Sequence, residues 1–154
     1  MLDTNVLLYA EQGASGQAQR LLRRVGNGEV LGVLPQPVWQ ELSRKLMLAE
    51  ASTLGIVKGH QLAHQLATKP EGIKELKLYK EKVRALVRLG LKFEPCTSTD
   101  FIETSRALQT RHRLMTNDSA IFAVALRIKA DVLVTAHKRL HSIKDIAGSS
   151  PSDT

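Results

Sequence analysis

Three acidic residues stand where separate elements of the chain should begin. Asp3 sits in Met1-Leu2-Asp3-Thr4-Asn5, Glu41 in the amphipathic stretch after Pro37, and Asp118 in Thr116-Asn117-Asp118, ahead of an apolar run. A carboxylate at the exit of a strand lies at the edge of a parallel sheet, where α/β folds bind ligands. Taken singly, Asp3 and Asp118 also read as helix N-caps, and Glu41 as a solvated helix position. Together they read differently. Carboxylates gathered at one edge repel one another and lose hydration unless a cation neutralises them. The combination points to Mg2+ or Mn2+, which take carboxylate and water ligands.

The elements that must position these acids can be read from periodicity and punctuation. Met1-Leu2 is the stub of a strand, and residues 6–11 have helical character. After Gly13 and Gly16, residues 17–25 form a basic helix with Leu21, Leu22 and Val25 inward, and Gly26-Asn27-Gly28 makes a turn into a short buried strand over 30–34. Pro35 and Pro37 end that strand and open a helix over 37–51. Residues 52–88 read as polar helix in two pieces, broken near Lys69-Pro70-Glu71-Gly72, followed by a strand over 91–94. Thr97-Ser98-Thr99-Asp100 is rich in N-cap types and predicts a helix over 101–110. Asn117 or Asp118 caps the next helix, 119–129, whose small apolar residues predict burial on most faces. Val132-Leu133-Val134 is a buried strand ending at Thr135. Strands alternating with helices predict an α/β fold, helix-rich, with a small and mainly parallel sheet between helical layers. Residues 1–147 read as one domain and 148–154 as a loose tail.

Composition narrows the partner. The net charge of +7 and pI near 9.8 favour a polyanion. Aromatic content of only 4% argues against a base-stacking platform, so nucleic acid would be gripped through its phosphates. No run is long and apolar enough for a membrane span, and Asp3 and Asn5 interrupt any early leader-like segment. A single cysteine, Cys96, excludes an internal disulfide framework and fits a reducing cytosol.

Asp3-Thr4-Asn5 with its apolar flanks, the Glu41 helix, Asp118 with the Ala-rich stretch Ala120 to Leu126, and Val132-Leu133-Val134-Thr135 together resemble the PIN-domain ribonucleases. The chain is similar in size to the VapC-type toxins of toxin–antitoxin pairs. The resemblance runs through nearly the whole chain in the expected order. It implies a metal-dependent endoribonuclease in which Asp3, Glu41 and Asp118 hold one or two Mg2+ or Mn2+ ions, with Asn5 and Thr135 orienting carboxylates or waters. It also implies an RNA substrate and a cognate antitoxin. Asn5 equally suits a local turn. An alternative within the same fold is a catalytically impaired PIN domain that binds RNA or protein.

Two features depart from the family pattern. Where the family usually runs into Thr-x-Asp, this chain has Thr135-Ala136-His137, so a histidine stands in place of an acid. Asp131 is no substitute, since four residues of extended chain put it roughly 13 Å from Thr135. His137 could ligate Mn2+, contact phosphate or mark decay of the site. Second, a strand typically has ~5–6 residues, yet only Met1 and Leu2 precede Asp3. A chain that starts at Met1 has a clipped central strand and lowered stability; a start assigned too far downstream, or a trimmed chain, explains the stub equally well.

Other residues invite chemistry less strongly. His60 and His64, and His137 and His141, have i, i+4 spacing, but the first pair lacks a zincin glutamate and further ligands are not evident. Cys96 has no evident base beside it. Arg44 and Lys45, just past Glu41, are the basic residues best placed to meet a phosphate, whereas the lysines and arginines over 74–88 are interleaved with Glu75 and Glu81 as on a solvated helix. Apolar residues on several faces over 42–66 suit a homodimer seam or an antitoxin groove, and ordinary core packing explains them equally.

Overall fold

The computed structural model describes residues 1–137, Ile143 and the backbone of 147–149. Among the described residues, four three-residue strands form two parallel pairs: β1 (Val33–Pro35) with β2 (Lys92–Glu94), and β3 (Val132–Val134) with β4 (Ala147–Ser149). The Met1-Leu2 stub lies between them. Leu2 N–H donates to the Val33 carbonyl at 3.1 Å on one side. On the other, Val134 N–H donates to the Met1 carbonyl at 2.9 Å and Asp3 N–H to the Val134 carbonyl at 3.0 Å. The order across the molecule is therefore β2, β1, the stub, β3, β4. Two residues of extended chain join both pairs and deliver Asp3 to the edge.

Helices supply the remaining layers: α1 (Thr4–Glu11), α2 (Gly16–Gly26), α3 (Gln36–Thr53), α4 (Leu62–Ala67), α5 (Pro70–Glu75), α6 (Leu78–Arg88), α7 (Ser105–His112) and α8 (Thr116–Arg127). The main core gathers Leu2, Val6 and Leu7 with Leu34, Val38, Leu42, Phe122, Val124 and Leu133, so α1, α3 and α8 press on the strands. Ser119 through Ala125 are all buried, as the small apolar pattern of α8 requires. The α/β, helix-rich architecture expected from the sequence is the one observed.

Several boundaries differ, for identifiable reasons. Helix α8 begins at Thr116, after Met115 in extended conformation and without a side-chain cap, so Asn117 and Asp118 lie inside its first turn rather than capping it. Residues 62–88 form three short helices. Pro70 sits in the first turn of α5, where its fixed φ and missing N–H are harmless. The further break falls at Leu76, which is fully buried with Ala51, Val57 and Leu66 in a second cluster. Across that break, Glu50 of α3 accepts the N–H groups of Lys77, Leu78 and Tyr79 at 2.8–2.9 Å and so caps α6. The segment after Thr97 coils two residues earlier than expected, as a π-helical stretch (Thr99–Thr104) leading into α7. Thr97 and Asp100 cap it reciprocally: Thr97 N–H donates to Asp100 Oδ2 at 3.0 Å, and Asp100 N–H to Thr97 Oγ1 at 3.2 Å.

The apolar residues over 42–66 are mostly used internally. Leu42 and Leu46 enter the main core, Val57 and Leu66 the second cluster, and Leu48, Ile56 and Leu62 pack against it; Leu54 is exposed. His60 lies in the loop before α4 and His64 within it, so the two do not share a helix face. His141 and residues 150–154 lie outside the described residues.

Candidate active site

The acids expected to act together lie on one ring of contacts at the carboxyl edge of the strands. Asp3, extended at φ −90° and ψ 159°, ends the stub and is the N-cap of α1. Its Oδ1 accepts Thr4 N–H at 2.6 Å and its Oδ2 accepts the Thr135 hydroxyl at 2.6 Å. Thr4 Oγ1 donates to Glu41 Oε2 at 3.1 Å, and Asn117 Nδ2 donates to the same oxygen at 3.5 Å. Asp118 follows Asn117, and its Oδ2 lies 3.8 Å from His137 Nδ1. His137 N–H donates to Thr135 Oγ1 at 3.0 Å, which returns to Asp3. Four parts of the chain, near residues 3, 41, 118 and 135, thus meet.

Local folding explains each placement. Pro35 ends β1 and Pro37 opens α3, so Glu41 arises in the second turn of a helix that leaves the sheet at its carboxyl edge. The first turns of α1 and α8 direct unpaired N–H groups toward the same edge, and their positive ends favour the carboxylates of Asp3 and Asp118. Thr135 is fully buried just past β3.

Lysine 45 enters this ring. Its Nζ stands 2.8 Å from Glu41 Oε1, one turn along α3, and 3.4 Å from Asn5 Oδ1. Partial burial pushes the Glu41 carboxyl up, but the Lys45 hydrogen bond and charge, with the bonds from Thr4 and Asn117, outweigh it and hold the group below its ordinary range. Asn5 therefore bonds Lys45, whereas Thr135 bonds a carboxylate directly. Arg44 is exposed, and among the described residues no hydrogen bond or ion pair joins it to the ring. Thr4 and Asn117 carry contacts that the sequence reading assigned to neither. The available signal was their position, each a polar residue next to an acid in a helix's first turn.

Elsewhere the chemistry is quiet. Burial and the nearby Asp100 carboxylate push the Cys96 thiol up, against only a partial offset from Arg127, which disfavours a thiolate. A cleft of about 630 Å³ lies at the amino ends of the strands, lined by Met1, Leu31, Asp131 and Val132. It lies at the other end of the stub from the Asp3 carboxylate, and its charged lining, Arg24, Glu29, Lys129, Asp131 and the Met1 ammonium, includes none of the three acids singled out above.

A family model for the PIN domain matches residues 1–146. The chain belongs to the PIN-domain family. No curated protein and no solved structure gives a significant match. PIN domains are generally nucleases that use divalent metals, and the ring can be tested against such an ion. Its donors are hard carboxylate oxygens from three segments, the type that Mg2+ and Mn2+ prefer. His137 Nδ1 is buried without a hydrogen bond, beside the Asp118 carboxylate. Among the described residues, no three His, Cys, Asp or Glu side chains stand close enough to grip one ion together. That spacing is compatible with Mg2+, which keeps several waters and needs only one or two direct carboxylates. As they stand, the oxygens of Asp3 and Glu41 are taken by Thr4, Thr135, Asn117 and Lys45, so a direct metal contact there would displace one of those partners.

Proposed function

We propose that this PIN domain is a divalent-metal-dependent endoribonuclease that hydrolyses RNA phosphodiester bonds, with Asp3, Glu41 and Asp118 holding its Mg2+ or Mn2+. The observation that carries this reading is the closed ring Asp3–Thr4–Glu41–Asn117–Asp118–His137–Thr135 at the carboxyl edge of the strands. The chemistry supplied by a bound cation is polarisation of the scissile phosphate and a lowered pKa for water at the site.

The chain's own groups do the positioning. Thr4 N–H and the Thr135 hydroxyl bind opposite oxygens of Asp3, so its carboxylate keeps one orientation. Thr4 and Asn117 do the same for Glu41. Arg44 and Lys45 meet the RNA phosphates, as the net charge of +7 suits. His137 offers an imidazole where the family pattern has an acid, which favours Mn2+ relative to Mg2+.

The finer reading is a VapC-type toxin working in the cytoplasm with a cognate antitoxin, and able to form a homodimer; the match of the PIN family over residues 1–146 supports its nuclease part. A second reading, an impaired PIN domain that binds RNA or protein, draws on two features of this chain: Lys45 already paired with Glu41, and His137 in place of an acid.

Cleavage separates the two readings. The purified protein is given a pool of structured and unstructured RNA, including tRNA and rRNA, with Mg2+, Mn2+ or EDTA. Asp3→Asn, checked for folding by circular dichroism, runs beside it. Cutting that requires both metal and Asp3 is expected. Cutting that survives EDTA or Asp3→Asn contradicts the assignment, and none by a folded protein shifts the reading to the binding module.

A further inference from the structure

The outer edge of β2 is uncovered and aromatic. Among the described residues β2 pairs only with β1, so its other side is a free strand edge. Lys92 N–H donates to the Gly32 carbonyl at 2.9 Å, which turns the Lys92 backbone groups toward β1 and those of its neighbour Phe93 outward. Phe93 is 46% exposed, and Trp39 of α3, 39% exposed, meets it edge to face with ring centroids 6.2 Å apart. A free edge flanked by exposed rings is a template for another strand. The residues on either side of Phe93, Lys92 and Glu94, carry opposite charges.

We infer that two copies of this chain join edge to edge at β2, antiparallel about a two-fold axis at Phe93. This gives the homodimer of the toxin reading a surface other than the 42–66 seam, whose apolar residues mostly pack internally, and it holds whether or not the domain cuts RNA. Phe93 N–H and C=O exchange both bonds with the partner's Phe93, as a hydrogen-bonded antiparallel pair does. Lys92 stands opposite the partner's Glu94 and Glu94 opposite the partner's Lys92, whereas a parallel pairing would set lysine against lysine. Glu94 keeps charge for this contact: its Oε1 accepts Arg127 at 2.8 Å, but the same guanidinium also serves Asp100. On the other face the two Phe93 rings meet, and Trp39 extends the aromatic row on each side. The ladder is short. Pro95 has no N–H, and the Leu91 N–H already donates to the Leu86 carbonyl at 3.4 Å. The contact is therefore small, and the dimer forms and parts with concentration. Antiparallel pairing sets the two acid rings on opposite edges of the joined sheet, so neither copy completes the other's site.

Sedimentation velocity on the wild type, from roughly 1 µM to 1 mM, should show monomer giving way to dimer. Phe93→Glu sets two carboxylates across the axis, and Lys92→Glu sets one against the partner's Glu94; each should weaken the dimer about ten-fold or more. Leu54→Glu, at the exposed apolar residue of the 42–66 seam, should leave it unchanged. Thermal unfolding checks each variant, and two independent substitutions at exposed positions read the same edge. A wild type that stays monomeric at the top concentration, a dimer that survives both edge variants, or one that yields only to Leu54→Glu overturns the inference. None of these results bears on the nuclease reading, which metal-dependent cleavage decides separately.

Discussion

The Thr135 hydroxyl donates to Asp3 Oδ2 at 2.6 Å across 132 residues of sequence, with both side chains buried. One bond ties the end of the stub to the end of β3 and fixes the carboxylate on which the ring turns. A hydrogen bond to a buried charged group contributes more than a neutral one. Thr135→Val keeps the shape and removes the donor, so it should lower unfolding free energy by about 1–2 kcal/mol, read from the urea midpoint. Thr135→Ser should recover most of that. Equal midpoints for the valine variant and the wild type would remove Thr135 from the account.

Glu50 makes a separate prediction far from the ring. Burial pushes its carboxyl up, but the N–H groups of Tyr79, Leu78 and Lys77, with the charge of Lys82, outweigh that and lower it from the ordinary 4.5. A depressed carboxyl contributes stability that is present above its unfolded value and lost as pH falls through its folded one. Glu50→Gln should therefore cost about 1 kcal/mol at neutral pH, as for loss of a helix cap. The gap to wild type should hold above pH 4.5 and shrink below it. A gap that stays constant into acid would show that the Glu50 charge is not what stabilises α6.

Arg44 offers the test for the RNA surface. It is exposed one residue from Lys45 and outside the ring, so its removal should leave folding and Mn2+ binding intact. Arg44→Ala should weaken RNA binding across sequences and reduce the salt dependence of log affinity by about one phosphate contact. Binding measured in EDTA at several salt concentrations checks this. An unchanged slope would place the RNA elsewhere.

Cys96 should be dispensable for cutting. Its thiol is pushed up by burial and Asp100, and its backbone N–H donates to Gln36 Oε1 at 2.9 Å, so that hydrogen bond is structural. Cys96→Ala should retain metal-dependent cleavage within about two-fold. Loss of cleavage in a folded variant would call for a covalent mechanism instead.

Much of this arrangement is written locally. Val132-Leu133-Val134 has the β-branched composition of a buried strand, and Pro35 and Pro37 mark where strand gives way to helix. Asp3 is both a helix cap and a member of the ring, so its two sequence readings describe one geometry. Glu41 and Lys45 carry the i, i+4 signature of a helical ion pair, and that pairing was available before any fold was known. What could not be read locally depends on distant partners. Leu76 breaks a helical run because it enters a cluster with Ala51 and Val57, and α6 begins where Glu50, 27 residues before Lys77, supplies its cap. The early coil after Thr97 is also held from afar, by Arg127 of α8 pairing with Asp100 and, at 2.8 Å, with Glu94.

The most direct test of the central claim is the position of Mn2+ in crystals of this protein, located by anomalous scattering at the manganese edge. The account predicts a peak inside the ring formed by Asp3, Glu41 and Asp118, with at least one carboxylate oxygen at about 2.0–2.3 Å and water in other positions. A peak elsewhere, or none with the ring open to millimolar Mn2+, would contradict it.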